Sequence, residues 1–206
     1  MKSKDRKKMP SGQATKIPII MSAISNRHRT HARIQCILDV GIGWGKYGLL
    51  CREYLSGYDA MKNEEDWKLQ LDGVEVCHQY IKTYIRTLYT HVWPLDIREF
   101  CDKPETWIHP WTWDMILMID ILEHIPKEDG HKVLNVLKQY SRWILISTPT
   151  VLVPQNIKLY HEQEQHVCVW SLEDFESYNM DEVIENNRNL IIVLRGDLWK
   201  ERPPKR

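Results

Sequence analysis

Three glycines, Gly41, Gly43 and Gly45, follow a short apolar run that ends at Val40. A glycine lacks a Cβ atom, so the backbone can turn sharply there and a ligand can approach it closely. The residues after the glycines have the pattern of an amphipathic helix, whose first N–H groups are free to bind a polar or anionic group. The spacing therefore predicts a ligand site between a strand and a helix.

Four acidic residues recur at comparable places in the chain. Each of the first four predicted strands has an acid at or just after its carboxyl end: Asp39, Glu75, Asp96 and Asp120. The carboxyl ends of parallel strands meet at one edge of an open α/β sheet, where such folds bind their ligands. Four carboxylates in one crevice suit a ligand with ribose hydroxyls, an exocyclic amine and a cationic group, and they would repel a bare polyphosphate.

The spacing of Asp120, Glu123 and His124 allows a further kind of chemistry. Offsets of three and four place the side chains on one face of a helical turn. Two carboxylates and an imidazole could hold a divalent cation such as Mg²⁺ or Mn²⁺. Without a metal, Asp120 is equally suited to positioning a ligand, and His124 to packing within the turn.

The elements that must position these residues are strands alternating with helices. Apolar runs predict five strands, at residues 34–40, 69–76, 91–95, 113–119 and 143–147, and one of the intervening helices is predicted at 78–89. Residues 181–185 and 190–195 predict an antiparallel hairpin at one edge. We therefore expect an α/β protein with a Rossmann-like, doubly wound, mostly parallel sheet of seven strands.

Composition limits the domain organisation and the classes of partner. We predict a single domain over residues 16–198, with a disordered basic tail at 1–15 and a basic tail at 199–206. The formal net charge is zero, and no basic face with interleaved aromatic residues suggests nucleic-acid binding. No apolar run reaches the roughly 20 residues of a membrane span. The five cysteines form no CxxC pair, which fits a reducing compartment, so we expect a cytoplasmic protein.

Taken in order, these motifs resemble a known family. The pattern Asp39-x-Gly41-x-Gly43-x-Gly45, the acids Glu75 and Asp96, and the block that ends in Asp120-Ile121-Leu122-Glu123-His124 resemble the class I S-adenosylmethionine-dependent methyltransferases. Within that class the chain resembles the methyltransferase-type-11 and ubiquinone O-methyltransferase-like enzymes. The resemblance covers residues 34–195. It implies a methyltransferase that uses S-adenosylmethionine to methylate a small molecule or an exposed group, through oxygen.

The resemblance also implies roles for particular residues. Those expected to bind the cofactor are Asp39, Gly41, Gly43, Gly45, Glu75, Asp96, Ile97 and Ile119. Glu75 would accept hydrogen bonds from the ribose hydroxyls, and Asp96 from the adenine amine, with Ile97 against the ring. Ile119 would lie beside the methionine end of the cofactor.

The same resemblance gives candidates for catalysis and substrate binding. Methyl transfer from a sulfonium requires an aligned nucleophile and removal of its proton, for which Asp120 and His124 are the candidates. Some related enzymes bind a metal at this block, and its ligands here would be Asp120, Glu123, His124 and His166, although Asp120 stands where those enzymes have Glu. The long connection at 148–170 is the predicted substrate loop, with His161, His166 and Trp170 as contacts. The insert at 58–68 is a second candidate for a substrate-facing element.

Two other functions remain open at this stage. Residues 43–48 also match GxGxxG, the fingerprint of an NAD(P)-binding oxidoreductase. Against it, the acid after the second strand lies beyond the ~20 residues typical of that fingerprint, and Asp39 would place negative charge beside a pyrophosphate. The second alternative is a cofactor-binding scaffold without catalytic activity.

Overall fold

A seven-stranded sheet forms the centre of the protein in a computed structural model, which describes residues 14–31, 33–56, 67–104, 112–152, 162–186 and 188–199. The strand order is β3-β2-β1-β4-β5-β7-β6. The strands are β1 Cys36–Val40, β2 Gln70–Val74, β3 His91–Trp93, β4 Trp113–Ile119, β5 Ser141–Pro149, β6 Met180–Asn186 and β7 Asn189–Arg195. The first five are parallel, and β7 pairs antiparallel with both β5 and β6. The predicted fold class is confirmed, including the antiparallel hairpin at the edge.

Helices cover both faces of this sheet. They are α1 Ile17–Thr30, α2 Lys46–Leu55, α3 Thr83–Leu88, α4 Ile97–Asp102 and α5 Lys127–Leu137. Alternate residues of β4 show why a strand covered on both sides is apolar throughout. Ile116 and Met118 pack on the face that holds α4 and α5, whereas Met115 and Leu117 pack on the face that holds α1, α2 and α3.

The structure also differs locally from the sequence-based expectations. The helix predicted over 78–89 is shorter, because the Cys77 N–H donates to the Glu75 side chain and the next residues form a tight turn that closes with Tyr80 N–H on the Cys77 carbonyl. Strand β5 is longer than predicted, since its last residues continue to pair with β7. No helix among the described residues is long and apolar enough to cross a membrane.

Several predicted segments fall outside the described residues. These are nearly all of the N-terminal tail at 1–15, the C-terminal tail beyond residue 199, most of the insert at 58–68, and the part of the predicted substrate loop that contains His161.

The sheet provides a binding crevice where the direction of winding reverses. Strand β1 pairs with β2 on one side and with β4 on the other. The connections that leave β1 and β4 therefore diverge at their carboxyl ends, which is the place where ligands bind in open α/β sheets. Helix α1 is anchored to the far edge of the sheet, because the Arg27 guanidinium pairs with Asp181 and with Glu182 at 2.7 Å.

Asp39 links β1 to the helices on one face of the sheet. Its buried carboxylate accepts a hydrogen bond from the Tyr89 hydroxyl. The Tyr89 ring lies over Gly48 of α2, where a Cβ atom would come within 2.3 Å of the hydroxyl oxygen. Burial raises the pKa of Asp39 to about 7, the Tyr89 hydrogen bond opposes the increase, and the nearby Glu75 charge adds to it.

This environment predicts how Asp39 affects stability at different pH. Because the folded state holds the Asp39 proton more tightly than the unfolded chain does, this stabilisation is complete below about pH 4 and is lost as pH rises through about 7. Wild type should therefore lose free energy of unfolding relative to Asp39→Asn over that interval, by up to about 4 kcal/mol. Urea unfolding of both proteins at a series of pH values measures the difference. A difference that stays constant with pH would contradict this account of Asp39.

Candidate functional site

A cleft of about 380 Å³ lies at the carboxyl ends of β1, β2 and β4. Its size is within the range of pockets that bind small molecules and cofactors. The predicted site residues that line it are Gly41, Gly43, Glu75, Asp96, Ile97, Ile119, Asp120, Glu123, His124 and His166. Residues from motifs that are far apart in the chain thus form one continuous surface.

Three residues predicted for the site do not line the cleft. Asp39 is hydrogen-bonded to Tyr89, and Gly45 precedes helix α2 as its N-cap, with a φ of +71°. Trp170 is fully buried, with its indole N–H donating to the Leu122 carbonyl at 2.9 Å. The Trp170 ring occupies the space that Gly130 of α5 leaves open, so it belongs to the core.

The backbone of the glycine turn has positive φ angles and close contacts that favour glycine. Gly41 has a φ of +74°, and a Cβ atom there would come within 2.1 Å of the Ile121 side chain. Gly43 has a φ of +53°, and its N–H donates to the Glu75 carboxylate at 2.9 Å. The turn therefore packs directly against the segment that follows β4 and forms one wall of the cleft.

Glu75 is held in a fixed orientation at the end of β2. Its two carboxylate oxygens accept hydrogen bonds from the backbone N–H groups of Gly43 at 2.9 Å and Cys77 at 2.7 Å. Burial raises the pKa of Glu75, and these two hydrogen bonds oppose the increase. A carboxylate has about four lone-pair sites, so Glu75 retains acceptor capacity for ligand hydroxyls.

Asp96 is the cap of helix α4. Its carboxylate accepts from the backbone N–H of Arg98 at 2.8 Å and from the Arg98 guanidinium at 2.7 and 2.9 Å. These hydrogen bonds from the Arg98 side chain lower the pKa of Asp96. Ile97, the next residue, is buried and contributes an apolar surface to the cleft. A ligand amine at this position would have to share the carboxylate with Arg98.

Asp120 pairs with a residue that the sequence did not identify. The Lys16 ammonium donates to its carboxylate and lies 3.4 Å from the Asn189 side-chain oxygen. The Ser147 hydroxyl also donates to Asp120, at 3.2 Å, and Asp120 itself has a φ of +58°. No sequence signal marks Lys16, because it follows a lysine-rich segment typical of a tail and precedes an ordinary apolar helix.

Glu123, His124 and His166 form a compact group of potential metal ligands. One donor atom from each lies within 4.8 Å of those of the other two. Among the described residues Asp120 is outside this group, so the structure joins three of the four predicted ligands. The Glu123 carboxylate accepts from the Thr148 hydroxyl at 3.1 Å, and the two imidazole rings meet edge to face at 4.9 Å.

The protonation of His124 follows from its hydrogen bond. Its Nδ1 atom lies 3.0 Å from the Gln165 carbonyl, which can only accept, so Nδ1 carries the proton and Nε2 keeps a lone pair. Burial lowers the pKa of His124 to about 4 and raises that of Glu123 to about 8. The neutral imidazole is the form that binds metal ions or accepts a proton.

The segment at 162–170 is fastened to the turn after β4. The Val167 N–H donates to the Glu123 carbonyl at 2.8 Å, which adds to the contacts of Gln165 and Trp170 with the same turn. This segment brings His166 into the cleft together with Glu164, a residue that the sequence analysis did not select. Burial raises the pKa of Glu164 to about 7, and the nearby Tyr80 hydroxyl opposes the increase.

The chain resembles known proteins in its fold but not in its sequence. No family model and no curated protein matches the sequence. A protein from Pyrococcus horikoshii superposes with a TM-score of 0.60 at 12% identity, over 93% of this chain and 94% of that chain. Two other similar structures are longer proteins, of which the chain spans 42% and 54%.

Two further similar structures are methyltransferases. The magnesium protoporphyrin IX methyltransferase of Synechocystis, solved with bound S-adenosylmethionine, has a TM-score of 0.54 at 9% identity, over 89% of this chain and 79% of that chain. The N-methyltransferase NodS of Bradyrhizobium japonicum has a TM-score of 0.53 at 10% identity, over 90% and 99%. At such identities the likeness concerns the fold alone. The chain has the fold of the class I S-adenosylmethionine-dependent methyltransferases.

Proposed function

We propose that the protein is an S-adenosylmethionine-dependent methyltransferase that acts on a small molecule or an exposed group. The observation that carries the proposal is Glu75, a buried carboxylate fixed by two backbone N–H groups beside the glycine turn and still able to accept from ligand hydroxyls. This arrangement suits the ribose of a nucleoside cofactor. The class I fold and the bound cofactor of the Synechocystis structure support the same proposal.

The charges of the cleft suit a cationic donor. Besides Glu75, the cleft contains the carboxyl groups of Asp96, Asp120, Glu123 and Glu164. In the transfer, the S–CH₃ bond breaks with its electron pair left on sulfur, and a bond forms between the methyl group and the acceptor atom. The enzyme must align the acceptor and receive its proton. Of these groups, Asp96 and Asp120 pair with cations and burial raises the pKa of Glu123 and Glu164, so Glu75 beside the glycine turn is the acid that would favour a sulfonium nucleoside over a dinucleotide pyrophosphate.

Of the two catalytic candidates, His124 is the better proton acceptor. Its Nε2 atom keeps a lone pair, whereas the Asp120 carboxylate already pairs with the Lys16 ammonium. A neutral imidazole with a pKa near 4 is a weak base on its own. Removal of the proton from a hydroxyl group of the methyl acceptor therefore requires that the pKa of that hydroxyl is itself lowered.

A divalent cation held by Glu123, His124 and His166 would act in place of this base, because it would take the lone pair of His124 Nε2 and would itself lower the pKa of the acceptor hydroxyl. Two imidazoles and a carboxylate are an ordinary donor set for divalent metals. A cation bound there would lower the pKa of a coordinated hydroxyl, which favours oxygen as the methyl acceptor. We therefore propose O-methylation with a metal at this group of residues, with Mg²⁺ or Mn²⁺ as the ion.

Substitution of Glu75 tests the cofactor site. In Glu75→Gln the side chain keeps its shape but loses the charge and one acceptor, so S-adenosylmethionine should bind about tenfold more weakly or worse by calorimetry. Glu128→Gln, which changes an 84% exposed acid on α5, is the matched control and should bind as wild type does. Equal affinities of wild type and Glu75→Gln would contradict the role of Glu75.

Titration with Mn²⁺ tests the metal site. After chelator treatment, wild type should bind one Mn²⁺ ion, observed by electron paramagnetic resonance, and His166→Ala and Glu123→Gln should each weaken this binding at least tenfold. His78→Ala removes an exposed histidine outside the group and should have no effect. Wild type that binds no Mn²⁺, or variants that bind it equally well, would exclude the site.

A further inference from the structure

Residues 162–170 form a segment along the cleft, which we call the strap. The strap residues that line the cleft are Gln163, Glu164 and His166. The later part of the strap is fixed to the turn after β4, because the Val167 N–H donates to the Glu123 carbonyl at 2.8 Å and the Cys168 thiol donates to the Ile125 carbonyl at 3.0 Å. One wall of the cleft therefore holds the strap in place.

The strap also meets the opposite wall of the cleft. Its Glu164 carboxyl is the hydrogen-bond partner of the hydroxyl of Tyr80, a residue that is only 5% exposed. Tyr80 belongs to the tight turn after β2, which closes with the Tyr80 N–H on the Cys77 carbonyl at 2.9 Å. The same turn fixes Glu75 through the Cys77 N–H. Glu164 is thus anchored close to the carboxylate that we assign to the ribose of the cofactor.

The order of the strands determines the path of the strap. Strand β1 lies between β2 and β4 in the sheet. The three residue steps from Glu164 to Val167 can span about 10 Å, which matches the roughly 9.6 Å between β2 and β4. A segment that contacts the turns after both strands must cross the carboxyl end of β1, where the glycine turn lines the cleft. A ligand in the cleft would therefore lie between the strap and the sheet.

The two attachments of the strap differ in kind. On the β4 side, the Val167 N–H, the Gln165 carbonyl and the buried Trp170 ring all bind to the turn. On the β2 side, the hydrogen bond between Tyr80 and Glu164 joins two side chains, which can rotate apart while the backbone of each element stays in place. The strap should therefore open at its Tyr80 end and pivot about residues 165–170.

We propose that the hydrogen bond between Tyr80 and Glu164 is a latch, which keeps the strap closed over the cofactor site and opens whenever S-adenosylmethionine enters or S-adenosylhomocysteine leaves. The inference rests on the proposed function and adds to it a step that controls the exchange of the cofactor. The latch joins two groups of the protein, so it forms in the free and in the bound protein alike. It therefore slows association and release by the same factor and leaves the affinity unchanged.

Stopped-flow measurement of S-adenosylhomocysteine binding tests the latch. Tryptophan fluorescence should report binding, because Trp44 lines the cleft, and a series of ligand concentrations gives the rate constants of association and release. In Tyr80→Phe, which loses the hydroxyl and keeps the ring, both constants should rise about fivefold, the factor expected for one lost hydrogen bond. The dissociation constant should stay within about twofold. Loss of a direct ligand contact would instead raise mainly the release rate.

Further variants examine the other half of the latch. Glu164→Ala should raise both constants as Tyr80→Phe does, and the double variant Tyr80→Phe/Glu164→Ala should be no faster than either, because all three proteins lack the same hydrogen bond. Glu164→Gln keeps a side-chain oxygen that accepts from the Tyr80 hydroxyl, so its rates should stay close to those of wild type. Tyr54→Phe, which changes a 60% exposed tyrosine on α2, is the matched control and should bind and release as wild type does.

The outcomes separate this inference from the proposed function. If Tyr80→Phe and Glu164→Ala bind and release at wild-type rates, or if only their release rates rise and the affinity falls accordingly, the hydrogen bond is not a latch. The inference then falls while cofactor binding stands. If wild type does not bind S-adenosylhomocysteine, the proposed function falls, and the latch with it.

Discussion

A concentration of carboxyl groups at one edge of the sheet is the constraint on which the site depends. Carboxylates taken out of water must be hydrogen-bonded or paired, and each acid here has a different partner. Two backbone N–H groups hold Glu75, a guanidinium holds Asp96, an ammonium holds Asp120, and a hydroxyl holds Glu123. Each partner fixes the orientation of its acid, so the cleft presents an ordered set of acceptors to a ligand.

The fold supplies these partners from distant parts of the chain. The glycine turn brings a backbone N–H to Glu75 because Gly41 and Gly43 allow it to pass close to the end of β2. The segment before α1 brings Lys16 to the end of β4, and the segment at 162–170 brings His166 to the turn after it. The two sides of the cleft are thus built by separate connections around one switch point of the sheet.

The sequence predicted those features that depend on local pattern. The apolar runs revealed the strands because both faces of the sheet are covered, and the glycine spacing revealed the turn because its positive φ angles require glycine. It could not reveal pairings between distant residues. Tyr89, which holds Asp39, is 50 positions away from it, and Lys16 is 104 positions from Asp120. Trp170 was misplaced for a related reason, since the space it fills is created by Gly130 of a different element.

We propose above all that the cleft binds a sulfonium nucleoside. Calorimetric titration of the wild-type protein with S-adenosylmethionine, S-adenosylhomocysteine and NAD tests it most directly. We expect the first two to bind with one site per chain and NAD not to bind, because the cleft presents carboxylates where a pyrophosphate would lie. Binding of NAD without binding of either adenosyl compound would contradict it.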